Sequence, residues 1–85
     1  MAIDEPMDLI RVLIDEKVQI KCKEGRHIVG TLHAYDPHLN LVVGDVEETT
    51  EIESEEGELS YSRRHMEILF VRGDGVILVA PQDSP

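Results

Sequence analysis

The chain has 85 residues and a formal net charge of −10, with 18 acidic and eight basic side chains. This length predicts one domain over residues 1–85, and a single cysteine excludes an internal disulfide. The first eight residues show no signal-peptide pattern, and no apolar stretch reaches the roughly 20 residues that span a bilayer. The sequence therefore predicts a soluble intracellular protein with no membrane contact.

The acidic charge is concentrated in one segment. Residues 45–58 hold eight acids and no base, whereas the rest of the chain has ten acids and eight bases. A net negative charge argues against nucleic acid, whose phosphates favour Lys and Arg, but a face outside this segment could be neutral or mildly positive. The segment itself is usually a solvated face, and it could also repel unsuitable partners or attract a basic one.

A short helix and five strands are predicted in chain order. Leu9, Ile10, Leu13 and Ile14 fall at helical spacing after Pro6, which predicts a helix over about 6–14. From residue 17 the apolar period changes to two, which is typical of strands with one buried face. The predicted fold class is all-β with a short N-terminal α-helix. The predicted strands cover about 17–23, 28–34, 39–43, 65–71 and 76–80.

The sequence also predicts a bend in the second strand and the state of the acidic segment. Ile28, Leu32 and Ala34 are expected to share a buried face, with Gly30 on that face marking a bend of the second strand. Residues 45–63 either extend the third strand and its partner as a solvated hairpin or are disordered.

The last two strands are apolar on both faces. Residues 68–71 and 76–80 contain only apolar side chains, and two-sided apolar strands are typically buried. A partner chain that pairs along a free edge would cover them. The alternative is that the N-terminal helix and closure of a barrel cover them.

Two polar loops are predicted to meet. Residues 36–40 (Asp-Pro-His-Leu-Asn) follow the second strand, and residues 72–75 (Arg-Gly-Asp-Gly) follow the fourth. In a meander, turns that follow even-numbered strands lie at the same end of the sheet. The topology therefore places these two loops side by side.

The paired loops fit recognition of a nucleobase. The ring of His38 and the guanidinium of Arg72 could face each other and hold a base between them, and Asn40 could hydrogen-bond its edge. Asp36 and Asp74 could brace these side chains. The glycines at 73 and 75 would permit positive φ and let a ligand approach the backbone.

Each residue also has a simpler interpretation. Asp36 and Asn40 could form an ordinary Asx-type turn, and His38 could be a solvated loop histidine. Arg72 could pair with Asp36, and residues 73–75 could be a plain hairpin turn. No spacing typical of a catalytic set or a metal site is present, so no catalytic residue, metal or cofactor is predicted. A hydrolase that uses His38 and Asp36 is a minor alternative. Cys22 is expected to be a small buried hydrophobe.

The two loops and the strands that flank them resemble the Sm and Sm-like (Lsm) family in sequence. A first Sm motif spans about 17–48, a second spans about 65–80, and the acidic variable segment of about 45–63 lies between them. Four stretches are similar to one eukaryotic subunit type in particular: "EPMDLIRV", "LHAYDPHLN", "GDVEET" and "LFVRGDGV". The likeness extends from the helix to Ala80.

The resemblance implies a helix that caps a strongly bent, five-stranded antiparallel sheet forming a small open barrel. It implies Lsm rings, usually of seven subunits, in which the fourth strand of one subunit pairs with the fifth strand of the next. A homo-oligomeric ring is possible for the isolated chain.

The resemblance also implies a slot for uridine-rich single-stranded RNA on each subunit. There His38 would stack on a base, Asn40 would bond its edge, Arg72 would close the other side and Gly73 would offer its backbone. Asp36 and Asp74 would brace them. Binding by one subunit would be weak and would gain from several slots in one ring.

Family rings with this subunit type act in two compartments. The nuclear ring binds the 3′ end of U6 small nuclear RNA in pre-mRNA splicing, and the cytoplasmic ring binds mRNA 3′ ends during decapping and decay. A different reading is a purely structural ring adaptor, whose loops are inert and whose acidic segment recruits protein partners.

Overall fold

One short helix precedes five antiparallel strands. The structure is a computed structural model that describes residues 6–82. The sequence also predicts a frayed tail over 81–85, of which residues 83–85 lie outside this range, whereas Pro81 belongs to the last strand. The elements are α1 (Pro6–Arg11), β1 (Lys17–Cys22), β2 (Arg26–Tyr35), β3 (Leu41–Glu53), β4 (Leu59–Val71) and β5 (Val76–Pro81).

The strands form one sheet in the order β4-β3-β2-β1-β5, with β4 and β5 at its two edges. Val71 at the end of β4 belongs to the same hydrophobic core that Val79 of β5 packs against. Both edges therefore curve around one core, as in a strongly bent sheet that forms a small open barrel. The expected fold class, all-β with a short N-terminal helix, is confirmed.

The core lies on the concave face of this sheet. In β1 the buried residues alternate with exposed ones, as the sequence predicted, and Cys22 is among the buried. Burial raises the pKa of the Cys22 thiol, so it remains a protonated hydrophobe. The buried apolar residues are Ile10, Val18, Ile20, Cys22, Ile28, Leu32, Leu41, Val43, Val46 and Val71.

The bend in β2 occurs at Gly30. The β2–β3 register shifts between Val29 and Thr31, and a Cβ on Gly30 would lie 2.7 Å from the Val43 side chain. That separation is too short for a real contact, so the close approach of the two strands requires a glycine. The predicted bend is confirmed.

The helix is shorter than predicted. It ends at Arg11, and turns replace it up to Asp15, because Leu13 and Ile14 donate to carbonyls only three residues back. Asp15 has φ 65°, and its N–H donates to the carbonyl of Leu32. This bond to β2 takes the place of the next helical bond.

Two strand expectations are wrong. A second register shift between Leu32 and Ala34 moves Ala34 off the core face, and its side chain is exposed. Leu39 lies in the loop before β3 with φ 62°, so the third strand begins only at Leu41.

The acidic segment is an ordered hairpin. β3 and β4 each run for 13 residues and pair from Leu41–Val71 to Glu53–Leu59, so β4 begins six residues before its predicted start. The expectation of a purely solvated acidic face is wrong at one position, because Glu48 is buried.

Within residues 6–82, no helix is long and apolar enough to cross a membrane.

Glu48 is buried because two arginines hold its carboxylate. Arg26 of β2 donates to Oε2 at 2.6 Å, and Arg64 of β4 donates to Oε1 at 3.1 Å. These partners come from the strands on either side of β3, so each carboxylate oxygen has a charged donor. A buried carboxylate needs such pairing to offset its lost hydration.

Candidate nucleic-acid interface

The first loop, residues 36–40, closes around the carboxylate of Asp36. Oδ1 of Asp36 accepts hydrogen bonds from the backbone N–H groups of His38 and Asn40, at 2.8 and 3.0 Å. Oδ2 accepts from the side-chain amide of Asn40 at 2.9 Å. These bonds, chiefly those from Asn40, lower the pKa of Asp36. The Asx-type turn is therefore present, and it fixes the backbone around His38.

The second loop, residues 72–75, is joined to the first through Asn40. Oδ1 of Asn40 accepts a hydrogen bond from the N–H of Gly73 at 2.8 Å. A Cβ on Gly73 would collide with the carbonyl oxygen of His38. The two loops therefore meet at their backbones, as the topology predicted.

The reason for glycine in the second loop differs from the prediction. Residues 73–75 form a single 3₁₀ turn, and neither Gly73 nor Gly75 has a positive φ. Gly73 is required by the approach of the His38 carbonyl, whereas a Cβ on Gly75 would meet nothing within 4 Å. Only one of the two glycines is therefore dictated by the contact between the loops.

Arg72 extends into solvent between two clefts. Its side chain is 86% exposed, and its guanidinium lies 3.3 Å from the carboxylate of Asp74 and not beside Asp36. The first cleft, of about 440 Å³, is lined by both loops and by the ends of β2, β3 and β4. Its lining residues include Tyr35, Asp36, Asn40, Phe70 and Arg72.

The predicted site residues are thus close together, but not all of their side chains line the same cleft. Asp36, Asn40 and Arg72 line the same cleft. His38 is exposed and is not among its lining residues, although its carbonyl lies against Gly73. Asn40 already uses one amide N–H and its oxygen within the protein, which leaves its second N–H for a ligand.

One cation beside the loops was not predicted from the sequence. The N–H of Lys23 donates to the carbonyl of Gly75 at 2.9 Å, so the β1–β2 turn lies next to the second loop. Lys23, Arg26 and Arg72 line a second cleft of about 530 Å³. In the sequence, Lys23 continues the alternating pattern of β1. Its position beside the second loop depends on the pairing of β1 with β5, which the local pattern does not show.

The polar groups of the two loops indicate what this end of the sheet can bind. Among residues 6–82, no three His, Cys, Asp or Glu side chains are arranged to hold a metal ion. What the loops present is an exposed guanidinium, an imidazole, a free amide N–H and a carboxylate with fixed geometry. This set suits hydrogen bonding to, and stacking on, a planar polar ligand.

Comparison with known proteins gives consistent matches along the chain. The LSM domain model matches residues 8–81. The "LSM complex subunit lsm3" of Schizosaccharomyces pombe is 51% identical, over 94% of this chain and 91% of its own length. The "Probable U6 snRNA-associated Sm-like protein LSm3" of Dictyostelium discoideum is 45% identical, over 93% and 87%.

Solved structures match the fold over the same range. The Sm protein of Pyrococcus abyssii, solved in complex with a uridine heptamer, is 30% identical, with a TM-score of 0.72 and coverage of 93% of this chain and 100% of that one. A heptameric archaeal Sm protein has a TM-score of 0.71 at 24% identity, covering 89% and 98%. The two Sm motifs, the bent five-stranded sheet and these matches agree: the chain belongs to the LSM domain family and resembles its LSM3 members.

Proposed function

We propose that this chain is a non-catalytic RNA-binding subunit of an Lsm ring that holds uridine-rich single-stranded RNA 3′ ends. The observation that carries the proposal is the hydrogen bond between Asn40 and Gly73, which joins the two loops into one site. Around this bond, Arg72 and His38 offer planar groups to a base, and Asn40 offers an N–H to a carbonyl on its edge. Gly73 contributes backbone, while Asp36 and Asp74 brace the side chains.

Uridine is a suitable ligand for this site. Its base presents carbonyl oxygens that accept from an amide N–H and from a guanidinium. A stacked base contributes about 1–3 kcal/mol, and the cation adds to that attraction. The uridine heptamer in the Pyrococcus abyssii complex belongs to a protein of the same fold and 30% identity, which supports this choice.

The edges of the sheet support assembly into a ring. β4 and β5 have no neighbours on their outer sides within the described chain, and both carry exposed apolar side chains. Pairing of β4 with β5 of the next subunit would satisfy their backbone groups and cover Ile68, Phe70, Ile77 and Leu78. We infer a ring of seven Lsm subunits, and for the isolated chain a homo-oligomeric ring.

The relatives suggest where such a ring acts. The Dictyostelium relative is named for U6 small nuclear RNA, which supports a nuclear role in pre-mRNA splicing. We extend the proposal to mRNA decapping and decay in the cytoplasm, on the family resemblance alone. The protein would then be present in both compartments.

The proposal is tested by titrating fluorescently labelled oligouridine with the assembled protein. Arg72→Ala removes the cation and should weaken binding about tenfold or more, since stacking and a charged contact are both lost. Lys17→Ala removes one exposed cation at the start of β1 and is the matched control, which should change affinity little. Oligocytidine, which presents an amino group where uridine has a carbonyl, should bind less tightly.

Two results would contradict the proposal. Equal affinity of wild type and Arg72→Ala would remove the two loops from RNA binding. Equal affinity of Asn40→Ala as well would favour the adaptor that acts through its acidic hairpin. Turnover of nucleotides by purified protein, lost in His38→Ala, would instead indicate an enzyme.

A further inference from the structure

A row of polar side chains crosses the sheet on the face opposite the core. The registers place Lys21 opposite His27, His27 opposite Thr49, and Thr49 opposite Arg63. Lys21, His27 and Thr49 each have a buried neighbour along their strand, so their side chains lie on the convex face. Arg63 shares that face because it is paired directly with Thr49. The row crosses three strand spacings, which is about 14 Å from Lys21 to Arg63.

The two cations of this row, like Lys17 and Lys23, form no ion pair within the part of the chain that the structure describes. Arg11, Arg26, Arg64 and Arg72 all form ion pairs with carboxylates. Within residues 6–82, Lys21 and Arg63 form none. Both side chains are exposed, so their charge is available to an anion.

A hollow lies beside the row at the root of the hairpin. It encloses about 330 Å³ and is lined by Lys21, His27, Thr49, Glu51 and Tyr61, among others. Tyr61 is directly opposite Glu51 in the β3–β4 register and is 64% exposed. An exposed aromatic ring, a cation and hydrogen-bonding groups of both kinds therefore line one concave surface.

The charges around this hollow decide which ligand it suits. The neighbouring positions on the same face carry Glu47 and His65 on one side and Glu51 on the other. Lys21 and Arg63 balance the charges of these two carboxylates. The patch is thus close to neutral on a protein of charge −10, and its cations are held apart from the acidic tip of the hairpin.

We propose that this hollow and the row beside it bind a nucleotide of single-stranded RNA, with the base on Tyr61 and flanking phosphates on Lys21 and Arg63. Glu51 accepts from a ribose hydroxyl or an exocyclic amine, and Thr49 adds a hydroxyl. This contact uses other side chains than the site formed by the two loops, although Cys22 and Arg26 line both the hollow and the cleft beside Arg72. Along the sheet, nine positions separate Thr49 from Asn40. That is roughly 30 Å along the strand.

Ring assembly leaves this face accessible. Strand pairing at the β4 and β5 edges uses backbone groups in the plane of the sheet, so the convex face would remain at the outer surface. An RNA held by the loops could continue over this surface, or a second segment could bind there. Each subunit would then offer two contacts, which raises the effective concentration of RNA at both.

The two tyrosines of the chain provide a direct test. The sequence has no tryptophan, and its tyrosines are Tyr35 and Tyr61, so Tyr35→Phe leaves Tyr61 as the only emitting side chain. Single-stranded oligoadenosine and oligouridine are titrated into this variant, and tyrosine emission is followed together with the anisotropy of a labelled strand. Stacking on Tyr61 should quench the emission as RNA binds.

Matched variants assign the contact to the row. Lys21→Gln should weaken the quenching transition about three- to tenfold and reduce its salt slope by about 0.7, the value for one phosphate of a single strand. Lys17→Gln, four residues earlier on the same strand, is the charge-matched control and should leave it unchanged. Quenching should persist in Arg72→Ala, which lacks the cation of the two-loop site.

Three outcomes would overturn the inference. One is saturated anisotropy with unchanged tyrosine emission. A second is quenching that disappears in Arg72→Ala, which would assign the signal to the loops. The third is equal weakening by Lys17→Gln and Lys21→Gln. If Tyr35→Phe does not fold, the comparison of Lys21→Gln with Lys17→Gln by anisotropy in the Arg72→Ala background gives the same decision.

Discussion

Oδ1 of Asn40 accepts a hydrogen bond from the N–H of Gly73 at 2.8 Å, across 33 positions of sequence. This bond joins the loop after β2 to the loop after β4. Asn40 also donates to Asp36, so one amide connects a carboxylate in its own loop to the backbone of the other. The geometry of the candidate site therefore depends on a side chain that also has an N–H left for a ligand.

Gly73→Ala should disrupt the meeting of the loops. The added methyl group would collide with the carbonyl of His38, so one loop has to move, at a cost of about 1–3 kcal/mol in the free energy of unfolding. Oligouridine affinity should fall with it. Gly75→Ala is the control, because its methyl group would enter open space and its φ is already ordinary. Thermal unfolding and RNA titration of both variants check this; similar losses for the two would contradict it.

Glu48→Ala should destabilise the fold through its two arginines. It leaves Arg26, 34% exposed, and Arg64, 63% exposed, without their carboxylate. We expect a loss of about 2–3 kcal/mol, below the ~3–5 kcal/mol of a fully buried pair, because water reaches Arg64. Urea unfolding at one fixed protein concentration measures it. Glu47→Ala, the exposed neighbour, should change stability by less than about 0.5 kcal/mol.

His65 should titrate above the ordinary histidine range. Its Nε2 lies 2.9 Å from Oδ1 of Asp45, and this hydrogen bond raises the pKa of His65 and lowers that of Asp45. The pair therefore stabilises the fold below the unfolded pKa of histidine, and this contribution is lost as pH rises through the raised value. It is also lost as pH falls through the lowered pKa of Asp45.

NMR titration of the His65 ring protons measures this pKa. Asp45→Asn removes the charge and most of the hydrogen bond to the imidazolium, so the pKa should fall towards about 6.5. An unchanged His65 pKa in Asp45→Asn would contradict the assignment.

Phe70→Asp should prevent assembly. Phe70 is 74% exposed on the edge strand β4, where pairing with β5 of another subunit would cover it. A carboxylate there would be desolvated by the neighbour, so light scattering should detect a smaller species. Tyr61→Asp places the same charge on the same strand, near the hairpin tip and away from the proposed contact. It should assemble normally, and a loss of assembly in both variants would contradict the edge model.

Local pattern and topology predicted much of the fold. The alternation of β1 reports directly which side chains are buried, and Cys22 follows it. The meeting of the loops followed from strand order alone, since both follow even-numbered strands. Gly30 within the second strand predicted the bend, and the resemblance to Sm and Lsm proteins added the open barrel.

Other features depend on contacts that local pattern does not encode. Glu48 belongs to a run of acids that looks uniformly solvated, and its partners Arg26 and Arg64 are 22 and 16 positions away. Ala34 left the core face because a bulge shifted its register by one. Gly73 was correctly placed but for a different reason, because the His38 carbonyl that excludes a side chain lies in the other loop.

The loop around Asp36 has a kinetic consequence. Three hydrogen bonds hold its carboxylate, and Leu39 is kept at φ 62°, a conformation that an unconstrained leucine seldom adopts. The backbone of the loop is therefore already in one shape before any ligand arrives, and little conformational entropy is left to lose on capture. RNA should associate in a single fast step, and differences in affinity among sequences should be expressed as differences in residence time.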